Sequence, residues 1–411
     1  MRNNGAVYVF WSGKTLSSIG SWLANVAGLY LILKLTNSPL WVALYMLGKM
    51  LPAIVTSSYG GVLADRMNRR SILMVLDGLS VLVALIPILV HQSSQLWLVL
   101  ASIVLLTGMS SVYFPAQQGL IAQLGMQDIG GTNSFFAAGD GLAMAAGALL
   151  GGVIASHSIA MAFVANSVSF ALSFITVSLL PTGNGGPLPS APSSDPPGPI
   201  TPRQAYVEMK QAWITIRRRP VLVKVIGLSV ALSLAGGGVN VLLSVVAHRK
   251  VGLGAFGISL AYAALGTGLF LGSLLSRITL KSRYRYTGII ALATIGEGVF
   301  IGIYSHMPIV IIAITSLVIA GVFSTMADSA QETLIMEHVP QEVFGRFYSF
   351  FDISTTTAFA IGTLLMGLLM TKTASGFAGS VVAILWIVVG ALWLQIRGHE
   401  PQRTATSETS I

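Results

Sequence analysis

Four ionisable residues, Lys14, Lys49, Asp140 and Glu297, stand inside long apolar runs and are the groups best placed to do chemistry. Charge in a hydrocarbon environment is costly, so it is kept where it faces a partner or a watery cavity. A carboxyl shielded from water holds its proton, and one reached by water or an ammonium gives it up, which lets a carboxylate load and release a proton as its surroundings change. Asp140, between Gly139 and Gly141, and Glu297, between Gly296 and Gly298, have small neighbours that leave room for this. Lys14 and Lys49 offer two alternatives: neutralising Asp140, or holding an anionic group of a bound molecule. Counted from the starts of their runs at about 1.5 Å per residue, all four lie roughly 12–16 Å deep. Asp77 and Asp352 come out about 10 Å from one edge, a depth that suits a gate network better than a central site.

Other chemistries find no residues to support them. The chain has no cysteine, which removes disulfides, thiolate metal sites and cysteine nucleophiles. His91, His157, His248 and His306 fall in four separate loops without ligand spacing, so no metal is expected. There is no phosphate-binding Gly-x-x-x-x-Gly-Lys-Ser/Thr loop and no nucleophile constellation, so neither a cofactor nor an enzyme is expected.

The elements that position these residues follow from composition. With 54% apolar and 9% charged residues and a mean hydropathy of +0.79, the chain cannot coat a water-soluble globule of 411 residues. Apolar runs of roughly 20 residues, each able to cross a membrane as a helix, recur about twelve times. The spans are placed at 5–33, 39–62, 71–90, 96–120, 132–156, 160–180, 221–247, 255–276, 286–305, 308–331, 346–371 and 377–396. The runs are too long and too evenly apolar for barrel strands, so the fold class is an all-α integral membrane protein. The first run lacks a cleavage site and reads as a retained helix.

Between Pro181 and Pro202 the apolar pattern stops and eight of the sixteen prolines gather, as in a semi-extended linker. The expected organisation is a six-helix bundle over 1–181, a linker over 182–219, a second six-helix bundle over 220–397 and a tail over 398–411. Within the linker, Tyr206, Met209, Trp213 and Ile216 recur at helical spacing among basic residues, as in a helix lying on an anionic leaflet. The halves echo one another at an offset of 211 to 213 residues: Gly61 to Arg66 against Gly272 to Arg277, and Gly108, Ser111 and Gln118 against Gly321, Ser324 and Gln331. Gly236, Gly237 and Gly238 mark a place where the seventh span can bend or break. Most of the 23 Lys and Arg fall in loops on the side shared by both termini, which makes that side cytoplasmic. The net charge of +9 is therefore a topology signal, and no nucleic-acid partner is expected.

From Gly61 to Arg70 the chain reads GVLADRMNRR. This resembles G-x-L-A-D-R-x-G-R-R, the loop between helices 2 and 3 of the major facilitator superfamily. Asn68 replaces a glycine there, and Asn is the next residue most tolerant of a left-handed turn. The run from Tyr113 to Leu124, YFPAQQGLIAQL, is similar to the F-x-P-A-x-x-A-x-I-P-x-L run of macrolide-efflux-type drug/proton antiporters, and the run from Trp11 to Gly20 and the pair Leu51 and Pro52 also resemble that group. The chain departs from drug antiporters in lacking an Arg in span 4, and Gly147 to Gly152 only approximates their span 5 signature. The resemblance implies two pseudo-symmetric six-helix bundles working by alternating access, as a monomer in a bacterial inner membrane with both termini cytoplasmic. Its implied partners are a small-molecule substrate, protons and membrane lipids. The activity it implies is proton-coupled efflux of hydrophobic or amphipathic compounds. An exporter of a lipid or siderophore-like metabolite, with Lys14 and Lys49 on an anionic headgroup, is the alternative, and a non-transporting receptor a weaker one.

The same resemblance makes Gly61, Asp65, Arg66, Arg69 and Arg70 a gating motif, with Arg69 and Arg70 alternatively anchoring lipid phosphate. Asp65 would face the start of span 11 near Gly345, where a carboxylate gains about 0.3–2 kcal/mol from the helix N-terminus. That contact exists only while the cytoplasmic side is closed. Asp65→Asn should therefore weaken closure, and labelling of a cysteine placed in the inner cavity should rise several-fold to about thirtyfold. Unchanged labelling in a folded, inserted variant would remove Asp65 from the gate.

Overall fold

The computed structural model describes residues 4–52, 67–123, 129–180, 217, 220–251, 253–279, 286–339 and 344–395. Gly61, Asp65 and Arg66, and nearly all of the expected linker with its amphipathic helix, lie outside them. The described residues form twelve helices: α1 Asn4–Thr36, α2 Pro39–Gly48, α3 Arg69–Val83, α4 Leu96–Gln123, α5 Ile129–His157, α6 Ile159–Ser178, α7 Pro220–Val246, α8 Gly254–Thr279, α9 Tyr286–His306, α10 Val310–His338, α11 Phe344–Lys372 and α12 Ser375–Trp393. Ten candidate spans are long and apolar enough to cross a membrane, and the described parts of α2 and α5 supply shorter apolar helices.

Local sequence explains where the helices stop. Pro52 lacks an N–H and its ring crowds the carbonyl four residues back, which is that of Gly48, the last residue of α2. Lys49 and Met50 form a turn there, with the Lys49 N–H shared between the Tyr45 and Met46 carbonyls at 3.2 and 3.1 Å. The expected continuous span over 39–62 is thus interrupted at Lys49. Pro87 acts in the same way on Val83, so the expected span over 71–90 ends in a 3-10 turn over Ile86–Leu89. Asn68 does not take the left-handed turn expected of it. Its φ is −64°, and its side chain caps α3 by accepting from the Ser71 N–H at 3.2 Å. The left-handed asparagine is Asn37, φ +46°, which ends α1 by donating its N–H to Leu33 at 2.8 Å.

Neighbour relations repeat from one half to the other. In the first half α1 packs on α5 and α6, α3 on α4 and α6, and α2 on α4. Adding six to each number gives the pairs of the second half: α7 on α11 and α12, α9 on α10 and α12, and α8 on α10. Between halves, α5 packs on α8 and α2 on α11, a pair of contacts that the same operation exchanges.

Small residues bring these helices close, as van der Waals packing between membrane helices requires. Gly237 meets the Phe359 carbonyl of α11 where a methyl would collide, and its own carbonyl accepts from the Thr363 hydroxyl at 2.9 Å. The seventh span, expected to bend or break at Gly236 to Gly238, does not break there: α7 is continuous, and Gly237 and Gly238 admit α11.

At the end bearing Asn37, one apolar core joins both halves, running through Leu29, Ile32, Val42, Leu242, Val246 and Ile258. At the other end, the basic end marked by Arg69 and Arg70, each half has its own core. Ile72, Leu73 and Leu120 belong to the first, and Ile290, Phe347 and Trp393 to the second. The halves therefore meet at one end, and among the described residues they part toward the basic end.

A polar clasp spans the joined end. Arg249, in a π-helical turn after α7, donates from Nη2 to the Asn37 carbonyl at 2.8 Å and from Nε to Asn37 Oδ1 at 3.2 Å. These exposed, charge-assisted bonds contribute about 1 kcal/mol. Arg249→Ala should open this end about fivefold more often. A single cysteine at the fully buried Ala247 should then be labelled faster by that factor, and an unchanged rate would assign closure to the apolar core alone.

Candidate functional site

A cavity of about 680 Å³ lies in the first half, walled by α1, the α2 break, α3, α4 and α6. Lys14, Lys49 and Asp77 line it together with Trp22, Phe114 and Phe170. Trp22, Asn25 and Ile103 stand where the cavity meets the shared core, and Lys14 and Gln117 stand nearer the basic end of α1 and α4.

The interruption of α2 is what presents Lys49 to the cavity. Its Nζ donates to Asn25 Oδ1 at 2.9 Å and lies 5.2 Å from the centre of the Trp22 ring, within cation–π range. An ammonium can only donate, so this bond settles the orientation of the Asn25 amide. The Nδ2 of Asn25 is then turned away, buried, with no hydrogen-bond partner. Gln117 Oε1, on α4, is likewise buried without a donor.

Asp77 is 2% exposed and accepts the Ser173 hydroxyl at 2.8 Å, with Tyr113 beside it. The structure thus places it in the cavity wall with the two lysines. Asp352, expected to share a gate network with it, is exposed on α11 and does not line the cavity. Glu297 is half-buried on α9, facing Ser324 and Asp328 of α10, and is not brought to the lysines. Asp140 belongs to α5, and its side chain lies outside the described residues. Among the described residues no cluster of three metal-ligating side chains occurs.

Of the expected gating motif, Arg69 is buried and Arg70 has a definite task. Arg70 Nε donates to the Val177 carbonyl at 3.1 Å and Nη2 to that of Ser178, the last turn of α6. A cation satisfying C-terminal carbonyls is favoured by the helix dipole. Arg70 therefore ties the start of α3 to the end of α6, within one half.

Sequence reasoning missed Trp22, Asn25 and Gln117 as cavity residues, and Ser173 as the partner of Asp77. Asn25 carried a signal, being a lone amide in the apolar run WLANVAGLYL. Its pairing with Lys49 had none, because the two are 24 positions apart on different helices.

The comparisons with known proteins agree with this architecture. The Major Facilitator Superfamily model matches residues 10–354. An uncharacterized MFS-type transporter, YfiS of Bacillus subtilis (strain 168), is 25% identical over 410 residues, covering 96% of this chain and 93% of the relative. The enterobactin exporter EntS of Escherichia coli (strain SMS-3-5 / SECEC) is 26% identical over 360 residues, covering 84% and 82%. Among solved structures, a bacterial homologue of the iron transporter ferroportin in an inward-facing state superposes with a TM-score of 0.74 at 14% identity, covering 96% and 99%. A bacterial homolog of the human lysosomal transporter Spinster, inward-facing and unoccupied, gives 0.70 at 14% identity, covering 95% and 96%. With the family model spanning most of its length and the same paired helix bundles in its fold, this chain belongs to the major facilitator superfamily of membrane transporters.

Proposed function

We propose that this protein exports amphipathic small molecules across a bacterial inner membrane by alternating access, driven by protons moving inward. The observation that carries this reading is the cavity itself, which sets an ammonium group beside an aromatic wall and is backed by a core that, among the described residues, joins the halves at one end. A pocket that combines apolar surface with a few convergent polar groups fits a molecule of the same mixed character. Arg66, Arg69 and Arg70 put the basic end in the cytoplasm by the positive-inside rule. On this reading the described residues are joined at the outer end and apart toward the cytoplasmic end.

A second reading narrows the cargo to a siderophore-like acidic metabolite. Two observations favour it: Lys14 and Lys49 both line the cavity, and one relative is an enterobactin exporter.

The carboxylates available to carry the proton are Asp140, Glu297 and, in the cavity wall, Asp77. Counterflow and gradient-driven uptake in proteoliposomes separate the coupling step from binding. A variant that loses the proton carrier should lose pH-driven net transport and keep substrate exchange, since exchange needs no proton cycle. Asp140→Asn, Glu297→Gln and Asp77→Asn should include at least one such variant. Full gradient-driven transport in all three, and in the triple variant, would overturn proton coupling at these positions.

A further inference from the structure

The unpaired amide at the inner end of the cavity bears on which amphipaths the transporter takes, an inference that rests on the export reading above. Asn25 is 4% exposed and lines the cavity, yet its Nδ2 has no acceptor. A buried amide N–H without a partner is unfavourable, so an acceptor brought to it is bound the more tightly. The Lys49 ammonium beside it has three protons, and the hydrogen bond to Asn25 Oδ1 uses one. Two side chains on separate helices, α1 and the α2 break, thus hold several donors at one spot.

The surroundings define what such donors would meet. Trp22 lies under Lys49, and Ile103 and Phe170 line the same cavity, so an acceptor seated here has apolar surface and an indole ring beside it. Lys14 adds a second positive charge to the cavity, and Asp77, the carboxylate among its described lining residues, is occupied with Ser173. A neutral carbonyl would satisfy the amide and leave the ammonium unneutralised in a low-dielectric wall. An anionic oxygen answers both, because hydrogen bonds to a charged acceptor are roughly twice as strong as neutral ones.

We propose that Asn25 and Lys49 form a joint donor site for an anionic oxygen carried on an aromatic ring, so that aromatic carboxylates or phenolates are the substrate class this cavity selects. A turn of the Asn25 side chain exchanges its bond with Lys49 for one from Nδ2 to the anion, and the freed Lys49 ammonium holds the same anion. The aromatic body then rests against Trp22 and toward Phe170. Acidity thereby becomes a specificity determinant, and the two residues act as a unit.

The test uses the full chain in proteoliposomes with two labelled probes of one shape, 2-naphthoate and its uncharged analogue 2-naphthamide, read by counterflow. The wild type should carry naphthoate at least about tenfold faster than the amide. Asn25→Leu and Lys49→Met should each reduce the naphthoate-to-naphthamide ratio about tenfold, and the double variant should fall no further than the worse single one, because the pair is one interaction. If Asn25→Leu loses both probes, the smaller change Asn25→Ala takes its place in the comparison. An unchanged ratio in the single variants, or a wild type that carries both probes equally, would overturn the proposal and leave export of amphipaths standing. Failure of the wild type to move either probe would overturn both.

Discussion

Gly152 of α5 comes so near Ser259 of α8 that one added methyl would collide, and Gly367 of α11 stands against Ala43 of α2 on the other flank. These two approaches bracket the apolar core shared by the halves, and on them depends how the rest of the molecule is arranged. In lipid, helices gain little from hiding apolar surface, so they associate where backbones approach closely. The close contacts lie toward the end bearing Asn37. The halves are held there and, among the described residues, part toward the basic end, which leaves room for a cavity and makes rocking about the small-residue seams the low-cost motion.

The second constraint is a difference between nearly equivalent halves. The helix neighbours repeat, but at the offset of 211 to 213 residues the lysines that line the cavity of the first half meet no lysine in the second. The first half sets Lys14 and Lys49 into its cavity, while the second carries Glu297, Asp328 and Glu332 on α9 and α10. A duplicated scaffold thus presents unlike electrostatic faces. The cationic face owes its form to a local break: Pro52 ends α2 at Gly48, and Lys49 turns toward Asn25 and Trp22.

The fold was legible in the sequence because lipid imposes a length and a polarity on every spanning element. Expected and observed helix ends agree within a few residues for α4 to α9, and the repeat read from paired glycines and serines reappears as paired helix contacts. Departures arose where a single residue has two uses. Asn68 can turn left-handed or cap a helix, and only the position of Ser71 decides for the cap. Glycines in α7 can weaken a helix or admit a neighbour, and the approach of Phe359 and Thr363 makes them the second. The site was legible only in its lysines. Depth counting found Lys14 and Lys49, and it set Asp77 nearer an edge without recording the packing of α4 and α6 that encloses that carboxyl in the cavity wall. The partnership of Lys49 with Asn25 depends on how α1 and α2 pack, which no spacing along the chain records.

The core that joins the halves has a thermal consequence. Leu29, Ile32, Val42, Leu242 and Val245 are fully buried in it, and parting the halves at that end would expose them to water. Hydrating apolar surface raises heat capacity, so the balance between the two open states cannot vary linearly with temperature. On warming from the cold the shared core tightens as the hydrophobic drive strengthens, and on further heating conformational entropy loosens it. The fraction of molecules open at the clasped end therefore passes through a minimum with temperature, set by the packing of the shared core.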